Sequence, residues 1–271
     1  MIKMSTRNYQ EMTKILLTGH KGFIGRHILA LLTQHGYTVD GVDLGDPIKN
    51  ERYDFIVHFG ARTLIRNSLD KPYEYFVDGL DLTMRMLEKA RKDGSMIVFP
   101  TSGSIEEPTN PYSLAKKNAV EWIQLYEKLY GLKAVILKLY NIYGEDSGKG
   151  ALYIFCKAAA ENSEITIYGN GEHIRDYTHV SDVAGLIYRI VSGQLKEGTY
   201  EVGTGVGTSV NQLISLVENV SGKKLKVTYK NYVVQEAEEL HAKNSVLINP
   251  IPIDEGVKLV YNALSQKIHF G

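Results

Sequence analysis

Tyr112 and Lys116 stand four positions apart in the stretch that follows Asn110-Pro111. On a helix begun by that proline, the two side chains share one face, a turn apart. An ammonium beside a phenol favours the phenolate and lowers its pKa. Tyr112 would then shuttle a proton near neutral pH, and the lysine could also hold a ribose hydroxyl. Taken alone, the pair also fits chance, because the chain carries 18 tyrosines among its 271 residues. Ser102, at the end of the apolar run MIVFPTS, offers a hydroxyl to the oxygen being transformed, or else simply ends a strand.

A second group of residues suits a dinucleotide. In Ile15-Leu-Leu-Thr-Gly-His-Lys-Gly-Phe-Ile-Gly25 an apolar run enters glycines at 19, 22 and 25 and then a helical pattern. Gly19 would permit the tight turn, Gly22 the close approach of a pyrophosphate, and Gly25 the packing of helix on strand. The helix start would add amide donors and a positive dipole. A plain glycine-rich βα turn is the alternative. Asp43 ends the next apolar run, about 20 residues beyond the glycines, where a carboxylate accepts hydrogen bonds from the adenosine ribose and repels a 2′-phosphate. The expected cofactor is therefore NAD rather than NADP.

The elements needed to carry these residues alternate in period. Apolar runs ILLTG, YTVDGVDL, FIVHFGA, MIVFPTS and AVILKLYNIYG are separated by helical stretches, notably roughly 76–92 and 111–130. Such alternation predicts an α/β fold: a Rossmann-type doubly wound parallel sheet with a smaller C-terminal α/β substrate lobe. Beyond Gly144 the rhythm loosens into Gly-rich stretches, with helices expected near 150–161, 181–192 and 209–221. The expected division is a shortened dinucleotide-binding domain over 14–162 plus about 178–193, a substrate-binding lobe over 163–177 and 194–271, and a loose tail over 1–13.

Composition narrows the function. Lys plus Arg and Asp plus Glu both number 31, so no global positive charge marks a nucleic-acid binder, and an anionic ligand would need local features. The single cysteine, Cys156, rules out an intrachain disulfide framework or a cysteine zinc cage and fits a reducing, cytoplasmic setting. No uncharged apolar run approaches the length that spans a bilayer, so no membrane partner is expected; no metal is expected either.

Across residues 14–220 the chain resembles the extended short-chain dehydrogenase/reductases, in particular NAD-dependent nucleotide-sugar epimerases and dehydratases. The resemblance rests on TGHKGFIG (18–25), Asp43, IVHFGA (56–61), PTS (100–102), NPYSLAK (110–116), LKLYNIYG (137–144) and IYGNGEHIRDYTHVSDVA (167–184). It implies that Ser102, Tyr112 and Lys116 are catalytic: Tyr112 as acid and base on a sugar hydroxyl, Lys116 as its tuner, Ser102 as the residue orienting the substrate oxygen. It implies a cofactor site of Gly19, Lys21, Gly22, Phe23, Ile24, Gly25, Asp43, Leu44, Phe59, Gly60, Ala61, Thr101, Tyr112, Lys116, Tyr140 and Ile142. Ser102, Ser104, Asn141 and Arg175 would contact the nucleotide-diphosphate sugar, Arg175 by the fit of guanidinium to diphosphate or else as an ion-pair partner of Asp176 or Asp182. A homodimer through the helices near 76–92 and 111–130 is implied by the same resemblance.

The chain departs from that pattern in places. Only residues 44–57 separate Asp43 from His58, so a strand and crossover helix are expected to be missing or reduced, which opens the adenine pocket. GSIEEPTNP between Ser102 and Tyr112 is also short. Gly103-Ser104 stands where dehydratases carry an Asp-Glu pair, which argues against elimination, since that reaction needs its own acid and base. The leading expectation is a nucleotide-sugar 4-epimerase working through a transient 4-keto sugar. A keto-sugar reductase or dehydrogenase is the alternative, with 4,6-dehydration and non-catalytic NAD binding behind both.

Overall fold

The computed structural model describes residues 12–43, 45–103, 105, 108–231 and 237–270. The chain divides into two compact units, Met1–Lys138 with Val183–Tyr200, and Leu139–Asp182 with Glu201–Gly271.

In the first unit, β1 (Lys14–Thr18) leads through the glycine turn into α1 (Phe23–Gln34) and β2 (Thr38–Val42). There follow β3 (Phe55–His58), α2 (Ile65–Asp70), α3 (Pro72–Asp93), β4 (Met96–Ser102), α4 (Pro111–Tyr130) and β5 (Lys133–Leu139). The strands form one sheet in the order β10-β5-β4-β3-β1-β2, where β10 is Gly198–Val202. β1 pairs in parallel with β2 on one side and β3 on the other, and β3 pairs in parallel with β4. Chain order therefore reverses across β1 and β3, the switch point at which doubly wound sheets receive ligands beyond their carboxyl ends. Thr18 and His58 are register partners at that end of the two strands.

Burial explains the strands: Ile15, Leu16, Leu17, Ile56, Val57, Ile97 and Val98 are wholly buried, as near-continuous apolar runs must be when both faces of a parallel sheet are covered. Met86 and Leu87 of α3 and Ala119 and Ile123 of α4 pack into that core. Each helix has a proline in its first turn, where no amide hydrogen bond is lost. Asn110 caps α4 by accepting from the Ser113 amide at 2.9 Å. Between Val42 and Phe55 the described residues form neither helix nor strand, so the shortening expected after Asp43 is present.

The second unit holds β6 (Ile142–Tyr143), α5 (Ala151–Glu161), β7 (Glu164–Tyr168), β8 (Ile174–Asp176) and β9 (Thr178–His179). After the chain returns, β11 (Gly207–Ser209), α7 (Val210–Ser221), β12 (Lys226–Lys230), β13 (Glu239–Leu240) and α8 (Ile253–Phe270) complete it; α6 (Val180–Val191) lies mostly in the first unit. Its strands form small sheets, β11-β8-β13, β12-β7 and β6-β9. The boundary falls at Lys138, ahead of the expected 162, because Leu152, Phe155 and Cys156 of α5 bury their side chains with Ile165, Leu213 and Val257 in a second core. Residues 178–182 likewise fall in the second unit and 194–200 in the first. Among the described residues no helix is long and apolar enough to cross a membrane.

The turn after β1 is built by close approach. Gly19 has a φ of +75°, and a Cβ there would sit 2.8 Å from the Gly60 nitrogen; a Cβ on Gly25 would sit 2.0 Å from the Gly19 carbonyl oxygen. Gly25→Ala should therefore lower the free energy of unfolding in urea by about 1–3 kcal/mol, since neither backbone can retreat. An unchanged unfolding midpoint would mean that the contact yields freely.

Candidate active site

The glycine turn runs Gly19-His20-Lys21-Gly22 into α1. Gly22 caps α1 without any side-chain hydrogen bond, and the first turn of α1 carries no acidic residue. The helix start thus keeps amide donors and a positive end undiluted by side chains. Phe23 packs its ring against His27 at 5.6 Å, Ile24 is half-buried and Lys21 is exposed.

At the end of β2, Asp43 is held from one side. Its Oδ2 accepts from the Lys21 amide at 3.1 Å and lies 3.1 Å from His20 Nδ1, while its own amide donates to Asp46 Oδ2 at 2.9 Å. Lys21 Nζ completes the group at 3.4 Å from Asp46 Oδ2. A cavity of about 60 Å³ opens beside Asp43, lined by Val42, Ile48, Val77 and Leu82 and by the charged Asp46, Asp78, Asp81 and Arg85. The short connection after Asp43 forms one wall of it through Ile48.

Tyr112 and Lys116 lie one turn apart on α4, with Lys116 on the buried face and Tyr112 half-buried. Lys116 Nζ donates to the Pro100 carbonyl at 3.0 Å and stands 4.5 Å over the Phe99 ring, so β4 fixes the ammonium from below. Burial lowers Lys116 from 10.5 to about 8. The Tyr112 phenol is pushed the other way, to about 12, first by burial and then by neighbouring Tyr75. The expected lowering of Tyr112 is thus not what the resting site shows: desolvation of the phenolate dominates, and Tyr75 adds to it.

Ser102, half-buried at the end of β4, and Thr101, whose buried Oγ1 has no hydrogen-bond partner among the described residues, complete this strand end. A small cavity of about 20 Å³ joins His58, Gly60, Ala61, Tyr112 and Lys116 on a single surface. Phe59 follows His58 there, its amide donating to the Thr18 carbonyl at 3.2 Å. Leu44 and Ser104, with Glu106 and Glu107, lie outside the described residues.

The remaining expected residues belong to the second unit. Tyr140 is buried and its hydroxyl donates to Glu201 Oε1 at 3.1 Å; Asn141, at a φ of +20°, donates through Nδ2 to the Asp176 carbonyl at 3.3 Å. Ile142 lies on β6, paired with Thr178. Arg175 Nη1 donates to the Ile174 carbonyl at 2.8 Å. The Asp176 carboxylate is taken by the amides of Thr204, Gly205 and Ala242, and Asp182 accepts from the Ile251 amide.

Sequence reasoning passed over Arg62, which pairs with Asp78 at 2.6 Å and Glu74 at 3.2 Å, and Tyr75, whose hydroxyl donates to the Leu64 carbonyl. It also passed over the buried set Thr18, His58 and Thr83. A signal existed for that set, since Thr18 and His58 are polar residues at the ends of otherwise apolar strands.

Sheet order, glycine turn and the strand-end cluster define a Rossmann-type α/β protein of the dinucleotide-binding kind. The chain belongs to the NAD dependent epimerase/dehydratase family, whose model matches residues 15–203. A putative UDP-glucose 4-epimerase of Methanocaldococcus jannaschii is 30% identical, over 92% of this chain and 97% of that one. The fold is similar to that of a UDP-glucose 4-epimerase of Thermotoga maritima solved with UDP-glucose, at a TM-score of 0.84 and 24% identity over 94% of this chain and 100% of that one. It is similar too to a Thermus thermophilus UDP-glucose 4-epimerase solved with NAD, at a TM-score of 0.83 and 23% identity over 93% and 99%.

The low Lys116 value has a consequence for stability. Between about pH 8 and 10.5 the unfolded chain keeps a proton on this lysine that the folded chain has released. Relative to Lys116→Met, the protein should gain stability as pH rises through that window, by an amount on the order of 3 kcal/mol. Below pH 8 the difference should be flat. Urea unfolding of both proteins from pH 7 to 10 reads this directly, and a difference that falls with pH would refute a desolvated ammonium.

Proposed function

We propose that this protein is an NAD-dependent nucleotide-sugar 4-epimerase whose working form is a cytoplasmic homodimer. One observation carries the reading: Tyr112 and a buried Lys116, a turn apart, share a surface with Ala61 and with Gly60, whose backbone meets the glycine turn at Gly19.

The residues present fit NAD. The turn from Gly19 to Gly25, with Lys21, Phe23 and Ile24, would hold the pyrophosphate on backbone amides. Asp43, braced through Oδ2, has Oδ1 to offer a ribose hydroxyl, next to a cavity of mixed apolar and charged lining at the adenosine end of the site. Phe59, Gly60, Ala61 and the unpartnered Thr101 hydroxyl would line the nicotinamide half, with Leu44, Tyr140 and Ile142 completing the set. When bound, NAD supplies a reversible acceptor for the hydride on the carbon that bears the reacting hydroxyl.

The chain's own residues handle the proton. Ser102 would orient the sugar 4-oxygen through its hydroxyl. Tyr112 would take the 4-hydroxyl proton as the keto sugar forms and give it back once the sugar has turned its other face. A buried phenolate needs a cation close by, and Lys116 is the one a turn away, with donors beyond the one spent on Pro100. Asn141 and Arg175 are assigned to the diphosphate, Arg175 by the match of its planar donors to phosphate oxygens. Ser104 is assigned to the sugar. Proton and hydride both return to the substrate, so no net redox change accumulates.

The similarity to UDP-sugar epimerases makes UDP-sugars the first substrates to try, within a panel that includes GDP-, CDP- and dTDP-sugars. Conversion without net change in NADH is expected, and Tyr112→Phe should lower kcat by about 100-fold or more. Stoichiometric NADH consumption would instead make the protein a reductase, and NAD binding without turnover would leave only a sensor. Full activity of Tyr112→Phe would remove the mechanism.

Exposed apolar side chains support the dimer. Tyr73 and Phe76 on α3 and Leu114, Leu125 and Leu129 on α4 face solvent on adjacent helices, an arrangement that a second copy would cover. Leu129→Glu should shift the sedimenting species from dimer to monomer; a wild-type protein that sediments as a monomer refutes the assignment.

A further inference from the structure

We infer that His58 is a positioning residue for the dinucleotide site, acting through Thr18 to set the Gly60 peptide that meets the glycine turn. The inference rests on the NAD-binding reading above and adds to it residues that the glycine pattern does not contain.

The hydrogen-bond inventory leaves one arrangement. Thr83 Oγ1 donates its single proton to the Gly79 carbonyl at 2.7 Å, one helical turn back. At the 3.1 Å contact between His58 Nε2 and Thr83 Oγ1, the threonine can therefore only accept, and the imidazole carries its proton on Nε2. A neutral ring then has Nδ1 as acceptor. Thr18 Oγ1, 2.7 Å away, must donate to it, and its lone pairs accept the Gly60 amide at 2.9 Å. The ordered line runs from the Gly60 amide to Thr18, from Thr18 to His58, from His58 to Thr83 and from Thr83 to Gly79.

Every part of that line is buried except its two ends. His58 and Thr83 are each 1% exposed, as is Thr18. The ring has to be neutral for the order to hold, and burial, aided by the nearby Lys116 ammonium, drives His58 down to about 3. The ring packs at a 41° tilt against Phe99, 5.6 Å away, the same ring that lies under Lys116.

The line matters because of what lies at its Gly60 end. The Gly60 backbone is the wall against which Gly19 turns, and a Cβ on either residue would collide with the other strand's end. Displacing the Gly60 peptide by a fraction of an ångström would therefore displace the turn. His58 thus ties α3, β3 and β1 to one peptide at the switch point.

The test uses full-length protein, with NAD affinity and thermal unfolding measured on the same samples. Thr83→Val removes the acceptor of the His58 proton and alters no group at the Gly19 or Gly60 turns. It should raise the Kd for NAD about tenfold. Thr83→Ser, which keeps the hydroxyl, should restore affinity to within about twofold. The double variant Thr18→Val with Thr83→Val should bind no more weakly than Thr18→Val alone, because a single line is broken only once. Thr83→Val that unfolds earlier yet binds NAD like the wild type would reduce His58 to a packing residue and overturn the inference, as would additive losses in the double variant. Failure of the wild-type protein to bind NAD would instead overturn the functional reading along with it.

Discussion

The site depends on a place where two chain segments touch with no room for a side chain. The backbone of Gly19 lies against Gly60, and the start of α1 lies against Gly19 through Gly25. Because β1 is flanked by β2 and β3, this contact sits where the order of strands reverses. Any cofactor laid across the end of the sheet must rest on these peptides. Bare backbone here supplies amides that a side chain would screen, and the helix that begins at once aims its positive end at the same spot. The rest of the first unit holds that contact in place: the apolar strands below, α3 and α4 against the sheet, and the polar line through His58.

Burial sets the chemistry of the neighbouring pair. Lys116 and Tyr112 are moved in opposite directions by one cause, since each is pushed toward its neutral form by loss of water. In the resting protein Tyr112 is a phenol held well above neutral pH. Positive charge brought into the same dry space then has a large effect, because low polarizability strengthens every charge interaction.

The short connection after Asp43 shows how far such a fold can be trimmed. The chain passes from β2 to β3 without regular structure among the described residues, yet Asp43 remains oriented by the Lys21 amide and by His20. Ile48 takes over as an apolar wall. Bracing from the glycine turn itself makes the missing helix dispensable for placing the carboxylate.

Much of this was legible in the sequence. Local patterns determined the α/β alternation, the helices near 76–92 and 111–130, the glycine turn, and the placing of Tyr112 and Lys116 on one helical face, because periodicity, proline and glycine act within a few residues. The shortening after Asp43 was legible too, as a simple lack of chain. Three features were decided only by the tertiary structure. The unit boundary moved to Lys138 because α5 finds its apolar partners in α7 and α8, distant in sequence. The Tyr112 shift runs upward rather than downward because burial and the neighbouring Tyr75, on another element, both oppose its ionisation. His58 gained its orientation from Thr18 and Thr83, each far away along the chain. Spacing can bring two side chains to the same face, but dielectric environment and hydrogen-bond direction belong to whatever the fold packs around them.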